Sequence, residues 1–268
     1  MPELPEVETV VRELQSIEGK VLDSLVSYWD RTIEEPVKGF LKALKGREVS
    51  RVFRRGKYIC LEIDSGDFVT IHLRMTGKLV FEPTERDMNY ARVEFIFKDK
   101  SKLYFIDIRK FGRIKRWPAK EPFLPTLGPE PLMEDDVYEA LKSCRSVRDI
   151  KKVLLDQSVL TGVGNIYADE SLFLSRIHPL TSLQKVSTVK LKKLSSVIPQ
   201  VMHAAINNMG TTLSDYRNTK NVGGENQNYL RVYGQTGLPC SVCKTSIEKI
   251  VVGQRGTHFC PKCQRQSK

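Results

Sequence analysis

The first seventeen residues of the chain repeat apolar side chains at the spacing of an α-helix. These side chains recur every three or four positions, at Leu4, Val7, Val10, Val11, Leu14 and Ile17. Because this spacing places them all on one helical face, the pattern predicts an amphipathic helix that begins almost at residue 3.

Residues 20–117 change to the period of β-strands. The clearest runs of β-branched and aromatic residues are 59–63, 68–73, 93–97 and 103–106. Turn sequences such as Ser65-Gly66-Asp67 separate these runs. Short runs with such turns predict an antiparallel sandwich or barrel behind the leading helix.

The second half of the chain is predicted to be helical. Five prolines between residues 118 and 131 mark a linker, because that density prevents regular structure. Helical spacing then covers residues 134–210, and its longest helix, Val189 to Ile206, should bend or break at Pro199. We therefore expect a β-sandwich domain, a linker, a helical domain and a terminal finger, at 1–117, 118–133, 134–233 and 234–268.

Four cysteines near the end of the sequence form two CxxC pairs, 16 residues apart: Cys240, Cys243, Cys260 and Cys263. Thiolates at this spacing supply the four ligands of a tetrahedral zinc and leave no open position, so one structural Zn²⁺ is predicted. Disulfides would be unusual in a cytosolic protein, and so small a finger would not fold without metal. Cys60 and Cys144 lie in apolar runs and are expected in the core.

The net charge of +11 is concentrated in three basic clusters. They contain Arg51, Arg54, Arg55 and Lys57; Arg109, Lys110, Arg113, Lys115 and Arg116; and Lys249, Arg255, Lys262, Arg265 and Lys268. One such cluster is usually a solvated surface, but three of them, with aromatic residues between, indicate a nucleic-acid partner. No apolar run reaches the roughly 18 residues of a membrane span, and the acidic N-terminus is unlike a secretion signal. We expect a cytoplasmic protein, associated with the nucleoid through DNA.

A glycine-bearing turn, Gly162-Val163-Gly164-Asn165, joins two of the predicted helices. Glycines let a phosphate approach the backbone closely, and the following helix offers its N–H groups. The turn alone is equally typical of a plain helix cap. Together with the positive charge, it favours a clamp for a DNA backbone.

The second residue, Pro2, is followed directly by a carboxylic acid, Glu3. Initiator methionine is usually removed before a proline, which would leave a secondary amine at the start of the chain. α-Amino groups have a reference pKa of about 7.7–8.0, so a usable fraction is unprotonated at neutral pH. Such an amine can attack a sugar carbon, with the neighbouring acid handling the protons. Taken alone, Pro2 is better explained as a first-turn proline of the helix.

Several sequence blocks together resemble the formamidopyrimidine-DNA glycosylase family. They are Pro2 to Thr9, Arg55 to Tyr58, Ile71 to Gly77, Arg109 to Gly112, Gly162 to Tyr167 and the four-cysteine finger. The resemblance covers the whole chain and implies an α+β multidomain fold. That fold has an N-terminal antiparallel β-sandwich with a leading helix, a helix-two-turn-helix domain with a lesion-capping loop, and a C-terminal zinc-finger β-hairpin.

The resemblance also implies a monomeric DNA glycosylase/AP lyase of base-excision repair. Its partner would be double-stranded DNA with oxidised purines or abasic sites, bound in a cleft between the two halves of the chain. Leu4 favours this branch over the endonuclease VIII branch, whose members open Pro-Glu-Gly-Pro-Glu. Two alternatives are an oxidised-pyrimidine glycosylase of the same superfamily and a non-catalytic zinc-ribbon protein that binds nucleic acid.

Four catalytic roles follow from the same resemblance. Pro2 would attack C1′ of the flipped nucleotide, and Glu3 would protonate the sugar ring oxygen. Lys57 would serve β-elimination, although an exposed strand lysine is the alternative from sequence alone. Arg255 would bind phosphates around the lesion and assist δ-elimination.

The implied DNA contacts lie in both halves of the chain. Met75, Arg109 and Phe111 would fill the gap that the flipped nucleotide leaves. The other implied contacts are His72, Tyr90, Lys151, Asn165 and Tyr167.

The chain departs from the family pattern at four positions. Tyr90 and Arg92 stand where family members usually carry two histidines, and Val147 stands where they carry a lysine. Asn226 occupies a position where an aromatic residue is common. These departures leave the lesion preference open more than the catalysis.

Overall fold

The computed structural model describes residues 1–214 and 216–266. Helix α1, Leu4–Leu14, forms where the apolar spacing predicts it. Its apolar residues Val7, Val10 and Leu14 are fully buried. Lys268 of the third basic cluster lies outside the described residues.

Two antiparallel four-stranded sheets make up most of the N-terminal unit. The first sheet consists, in order of pairing, of β1 (Leu22–Ser27), β6 (Ala91–Phe97), β7 (Lys102–Asp107) and β5 (Gly77–Val80). The second consists of β2 (Val49–Arg55), β3 (Tyr58–Ile63), β4 (Phe68–His72) and β8 (Arg113–Trp117). Residues of both sheets and of α1 share one apolar core. The predicted sandwich with a leading helix is therefore confirmed.

The sequence patterns did not predict two further helices of this unit. Helix α2 covers Val37–Leu44, and α3 is a single turn at Glu85–Met88 that Thr84 caps with its side chain. The proline-rich stretch also has structure, because Phe123 packs its ring 4.6 Å from that of Phe68 and 6.0 Å from that of Phe53. The N-terminal unit accordingly continues to Pro125.

The described residues of the second unit form four α-helices: α4 (Glu134–Ser143), α5 (Ile150–Leu154), α6 (Asn165–Leu174) and α7 (Thr188–Asn207). Helix α7 does not break at Pro199, which is buried inside it. Both α4 and α6 pack against α7, and this packing offsets the cost of a proline within a helix.

The C-terminal finger carries a hairpin of β9 (Glu248–Val252) and β10 (Arg255–Phe259) between its two cysteine pairs. The two lone cysteines differ in burial: Cys60 is buried as expected, whereas Cys144 is only half-buried. Within the described part of the chain, no helix combines the length and apolar character needed to cross a bilayer.

The segment Asn208–Glu225 belongs to the N-terminal unit, and the second unit comprises Thr126–Asn207 and Asn226–Lys268. This division differs from the sequence boundary, which placed the segment in the domain at 134–233. The physical reason is a set of hydrogen bonds to carboxylates of α1 that lie about two hundred positions earlier in the chain. Sequence periodicity contains no signal for such contacts.

Candidate catalytic site and nucleic-acid interface

Helix α1 starts with a capping box that fixes the predicted acid, Glu3, which directly follows the predicted nucleophile, Pro2. Glu3 is the N-cap residue: its side chain accepts a hydrogen bond from the backbone N–H of Glu6, and its own N–H donates to Oε2 of Glu6 at 2.7 Å. Pro2 and Glu3 are both buried, the latter 3% exposed. The positive end of a helix dipole favours carboxylates at this place. The helix cap therefore holds Glu3, the residue bonded to Pro2, in a defined position.

The second carboxylate of this cap also holds a distant segment. Glu6 accepts through Oε1 from the backbone N–H of Thr211 at 2.7 Å. The preceding residue, Gly210, has a φ of +80°, and a Cβ there would lie 2.9 Å from Glu6 Cγ. Only glycine satisfies both the left-handed backbone and this close approach.

Lys57 lies in the two-residue turn between β2 and β3. The register pairs Arg55 with Tyr58, so Gly56 and Lys57 form the turn, and Gly56 supplies the positive φ of 58°. Lys57 is 7% exposed. The alternative of an exposed strand lysine is therefore wrong, since the side chain is held inside the unit.

His72 ends strand β4 directly opposite Tyr58, and the two rings meet edge to face at 4.7 Å. Burial, followed by the charges of Arg74 and Lys57, lowers the pKa of His72 to about 3. The ring is therefore neutral at physiological pH, and its Nδ1 accepts from the backbone N–H of Arg74 at 3.0 Å. The remaining proton of the neutral ring lies on Nε2. His72 is 7% exposed.

The three residues expected to fill a vacated base position lie together on the surface. Arg109 Nη1 is 3.2 Å from Met75 Sδ, and the Arg109 guanidinium lies 4.8 Å from the centre of the Phe111 ring. Met75 is 39% exposed and Phe111 is 47% exposed. An apolar wedge, an aromatic ring and a guanidinium therefore form one exposed cluster.

Asp107 organises this cluster, and sequence reasoning missed it. Its carboxylate accepts hydrogen bonds from the backbone N–H of Gly112 at 2.7 Å and of Arg109 at 3.2 Å, and from the hydroxyl of Thr76. Asp107 is 1% exposed. One buried carboxylate thus joins the loop after β4 to the loop after β7. The sequence feature that could have identified Asp107 is its position as an acidic residue after the β-run 103–106 and just before Arg109.

The two residues that replace the family's histidines behave differently. Arg92 is 8% exposed and donates from Nε to the carbonyl of Asp107 at 2.8 Å, so a phosphate contact through it is not supported. Tyr90 is half-buried and borders a groove. Of the other departures, Val147 is exposed and Asn226 is buried.

In the second unit, Asn165 joins helix α6 to the finger. Its Nδ2 donates to the carbonyl of Gly256 at 2.8 Å and to the hydroxyl of Tyr233 at 3.3 Å. Gly256 follows Arg255, which is exposed at the start of β10. The amide that was expected to bind a phosphate thus positions the strand that carries Arg255.

Lys151 and Tyr167 are both fully buried, which differs from the surface contacts to DNA that were expected of them. Lys151 forms an ion pair with Asp169, whose other oxygen accepts from the backbone N–H of His258 at 2.8 Å. Because His258 lies on β10, this chain of contacts runs from α5 through α6 to the finger. Lys151 therefore supports the finger from inside.

The four predicted zinc ligands converge: the sulfur atoms of Cys240, Cys243, Cys260 and Cys263 lie within 4.8 Å of one another. The Cys240–Cys263 and Cys243–Cys260 sulfur pairs are 3.9 and 3.4 Å apart. A tetrahedral zinc with Zn–S bonds of about 2.3 Å needs sulfur atoms about 3.8 Å apart. The cluster fits one structural zinc ion, and all four of its positions would be filled by protein.

Three domain families match the sequence. They are the formamidopyrimidine-DNA glycosylase N-terminal domain over residues 1–114, the formamidopyrimidine-DNA glycosylase H2TH domain over 127–217, and a zinc finger found in FPG and IleRS over 237–266.

Similar proteins match along their whole length. Formamidopyrimidine-DNA glycosylases of Herpetosiphon aurantiacus and Latilactobacillus sakei are 42% and 40% identical to the chain; each alignment covers 98% of it, and 100% and 98% of the relative. Lactococcus lactis Fpg, solved in complex with DNA containing an abasic site, superposes with a TM-score of 0.87 at 35% identity, covering 98% of this chain and all of that one. The MutM (FPG) protein of Thermus thermophilus superposes with a TM-score of 0.88 at 36% identity over both full chains.

Proposed function

The chain belongs to the formamidopyrimidine-DNA glycosylase family, and from this premise we propose that Pro2, freed by removal of Met1, is its catalytic nucleophile. The protein is a DNA glycosylase of base-excision repair with AP lyase activity, it binds DNA, and its finger holds one structural zinc. Its substrates are oxidised purines, 8-oxoguanine and formamidopyrimidines, in double-stranded DNA. It works as a monomer in the cytoplasm, on the DNA of the nucleoid.

The chemistry begins at C1′ of the damaged nucleotide. The lone pair of the Pro2 nitrogen attacks C1′, and the glycosidic bond breaks as its electrons leave with the base. The proton released from the Pro2 nitrogen neutralises the departing base. Glu3 protonates the ring oxygen, so that the sugar opens and an iminium joins Pro2 to C1′. The iminium acidifies the C2′ proton. Loss of that proton expels the 3′ phosphate, a second elimination expels the 5′ phosphate, and hydrolysis frees the amine.

Three observations support these roles. The capping box gives Glu3 a defined position directly after Pro2, and this is the observation that carries the proposal. Lys57 is buried near neutral His72, which suits a lysine that handles the C2′ proton or the adjacent phosphate. Arg255 is exposed on a strand that Asn165 holds, which suits a phosphate contact.

The proposed DNA contacts also rest on the positions of exposed side chains. The exposed cluster of Met75, Arg109 and Phe111 would replace the stacking and pairing of the flipped nucleotide. Tyr90 borders the groove beside this cluster, while Asn165 on α6 and Lys151 on α5 support the finger.

Turnover of duplexes with one defined lesion tests the substrate class. We expect excision of 8-oxoguanine to be faster than excision of thymine glycol under single-turnover conditions, and both to vanish in Glu3→Gln. A faster reaction on thymine glycol would show an oxidised-pyrimidine glycosylase. Tight binding without turnover of either duplex would show a non-catalytic zinc-ribbon protein.

A further inference from the structure

The segment Asn208–Glu225 is held against helix α1 by two carboxylates. Besides the Glu6 contact, Glu13 accepts three hydrogen bonds: from Nδ2 of Asn218 at 2.7 Å, from the backbone N–H of Thr219 at 2.8 Å and from the Thr219 hydroxyl at 2.7 Å. Both carboxylates lie on helix α1, whose N-cap residue is Glu3. The segment and the catalytic N-terminus therefore share one support.

A third anchor comes from the opposite side and involves an ion pair. Lys78 on β5 donates from Nζ to Oδ1 of Asp87 at 2.7 Å and to Oδ1 of Asn221 at 2.7 Å. Nδ2 of Asn221 donates to Oδ2 of Asp87 at 3.4 Å, which closes the triangle. The Lys78 and Asp87 side chains are only 16% and 13% exposed. A charge-assisted contact of this kind is stronger than an exposed ion pair.

Each member of this triangle is fixed by its own element. Asp87 also caps helix α3, where its carboxylate accepts from the backbone N–H of Thr84 at 3.1 Å. Asn221 has a left-handed φ of 62°, a conformation that asparagine tolerates better than most residues. Lys78 is hydrogen-bonded into the first sheet opposite Ile106. The triangle is thus a rigid contact between a sheet and the tip of the segment.

The triangle lies beside a groove of about 250 Å³ that belongs entirely to the N-terminal unit. Thr76, which follows the wedge residue Met75, lines one part of this groove, and Ser214 and Arg217 of the segment line another. Lys78 and Asp87 line it as well. The position of the segment therefore sets the shape of a groove next to the exposed wedge.

We propose that Lys78, Asp87 and Asn221 form a latch that fixes the segment Asn208–Glu225 in advance of DNA binding and thereby favours base-bearing lesions over abasic sites. The inference rests on the proposed function. The segment lines the groove beside Met75, and ordering a released segment when a base-bearing lesion binds would cost conformational entropy. An abasic site has no base for the segment to surround, so its cleavage does not depend on the latch.

Limited trypsin digestion tests the latch without any catalytic readout. Arg217 and Lys220 provide cleavage sites inside the segment, and Lys220 is exposed. We expect Lys78→Met to accelerate cleavage after these residues by roughly tenfold, the effect of losing one charge-assisted hydrogen bond. Asn221→Gly, which keeps the left-handed backbone but removes the amide, should have the same effect, and combining both variants should add nothing further. Lys100→Met is the matched control, because that lysine is 83% exposed.

Single-turnover kinetics on two duplexes test the consequence. In Lys78→Met and Asn221→Gly, excision of 8-oxoguanine should fall roughly tenfold while cleavage of an abasic duplex changes by less than about twofold, and Lys78→Arg should restore excision. Equal losses on both substrates, or unchanged digestion and excision, would overturn the latch. Inactivity of the wild-type protein on both duplexes would instead refute the proposed function, and the digestion result would then still decide whether the latch exists.

Discussion

Arg54 donates from Nε to Oε2 of Glu8 across 2.8 Å, and this bond joins strand β2 to helix α1. Arg54 precedes the turn that contains Lys57, and Glu8 lies on helix α1, which begins directly after Glu3. Burial alone would raise the pKa of Glu8, but the guanidiniums of Arg54 and Arg12 outweigh it and hold that pKa below its usual value. A single ion pair thus connects the two elements that bear the proposed catalytic groups.

Replacing Glu8 by Gln should loosen the Lys57 turn. The side chain would lose its charge, and the Arg54 guanidinium, which is 5% exposed, would lose its carboxylate partner. We expect cleavage of an abasic duplex to fall about tenfold, because contacts of this type contribute on the order of 1–3 kcal/mol. Arg12→Met is the control: it removes only the 58% exposed partner of Glu8 and should change the rate by less than about twofold. Equal rates for Glu8→Gln and the control would show that the bond does not position Lys57.

The depressed pKa of His72 predicts a defined pH dependence of stability. The folded protein holds this ring neutral down to about pH 3, whereas the unfolded chain protonates it near pH 6.5. Between these values the unfolded state binds more protons, so the free energy of unfolding decreases as pH falls below 6.5. Between pH 7 and pH 5 this one group should contribute a loss of about 2 kcal/mol.

Urea unfolding of the wild-type protein and of His72→Asn at both pH values measures this contribution. Asparagine retains an acceptor for the Arg74 N–H but does not titrate. The variant should lose less stability than the wild type on acidification, whatever its stability at pH 7. Parallel losses in the two proteins would mean that His72 is protonated in the folded state.

Removal of zinc should abolish DNA binding while leaving the N-terminal sandwich folded. The finger has only a small apolar cluster, in which Cys240 and Cys260 themselves pack with Phe173, Val232 and Ile247. Without metal this cluster cannot hold the hairpin that presents Arg255. Chelation should release one zinc per chain, eliminate the electrophoretic shift of a lesion duplex and preserve the β-sheet signal in circular dichroism. Full affinity after verified zinc loss would contradict the role given to the finger.

Local patterns predicted a large part of this structure. The apolar spacing from Leu4 to Ile17 predicted α1, and the spacing of the four cysteines predicted their convergence, because both depend on residues close together in the chain. The grouping of Met75, Arg109 and Phe111 came from the family resemblance, since 34 positions separate the first two.

Contacts over long separations could not be predicted from these patterns. The bond from Glu6 to Thr211 spans 205 positions, and the carboxylate of Asp107 has partners on two loops. The resemblance implied a DNA contact for Lys151, but Asp169 provides it with a buried partner from another helix. Such contacts depend on how elements pack, and a charge pattern along the chain does not record that packing.

The proposed mechanism depends on which amine binds the sugar. Both Pro2 and Lys57 are candidates for a Schiff base, because lysine amines commonly form them in lyases. Pro2→Gly keeps a terminal amine but changes its basicity and geometry, so activity should fall while DNA binding survives. The N-terminal mass must first show that Met1 is absent, because a retained methionine would block the Pro2 nitrogen.

Borohydride trapping on an 8-oxoguanine duplex, followed by peptide mapping of the adduct, tests this claim most directly. We predict one reduced cross-link, on the nitrogen of Pro2, with the Lys57 peptide unmodified. The Glu3→Gln variant should trap poorly on 8-oxoguanine but better on a pre-formed abasic site, whose sugar is already open for part of the time. A cross-link on Lys57 with Pro2 unmodified would contradict the account.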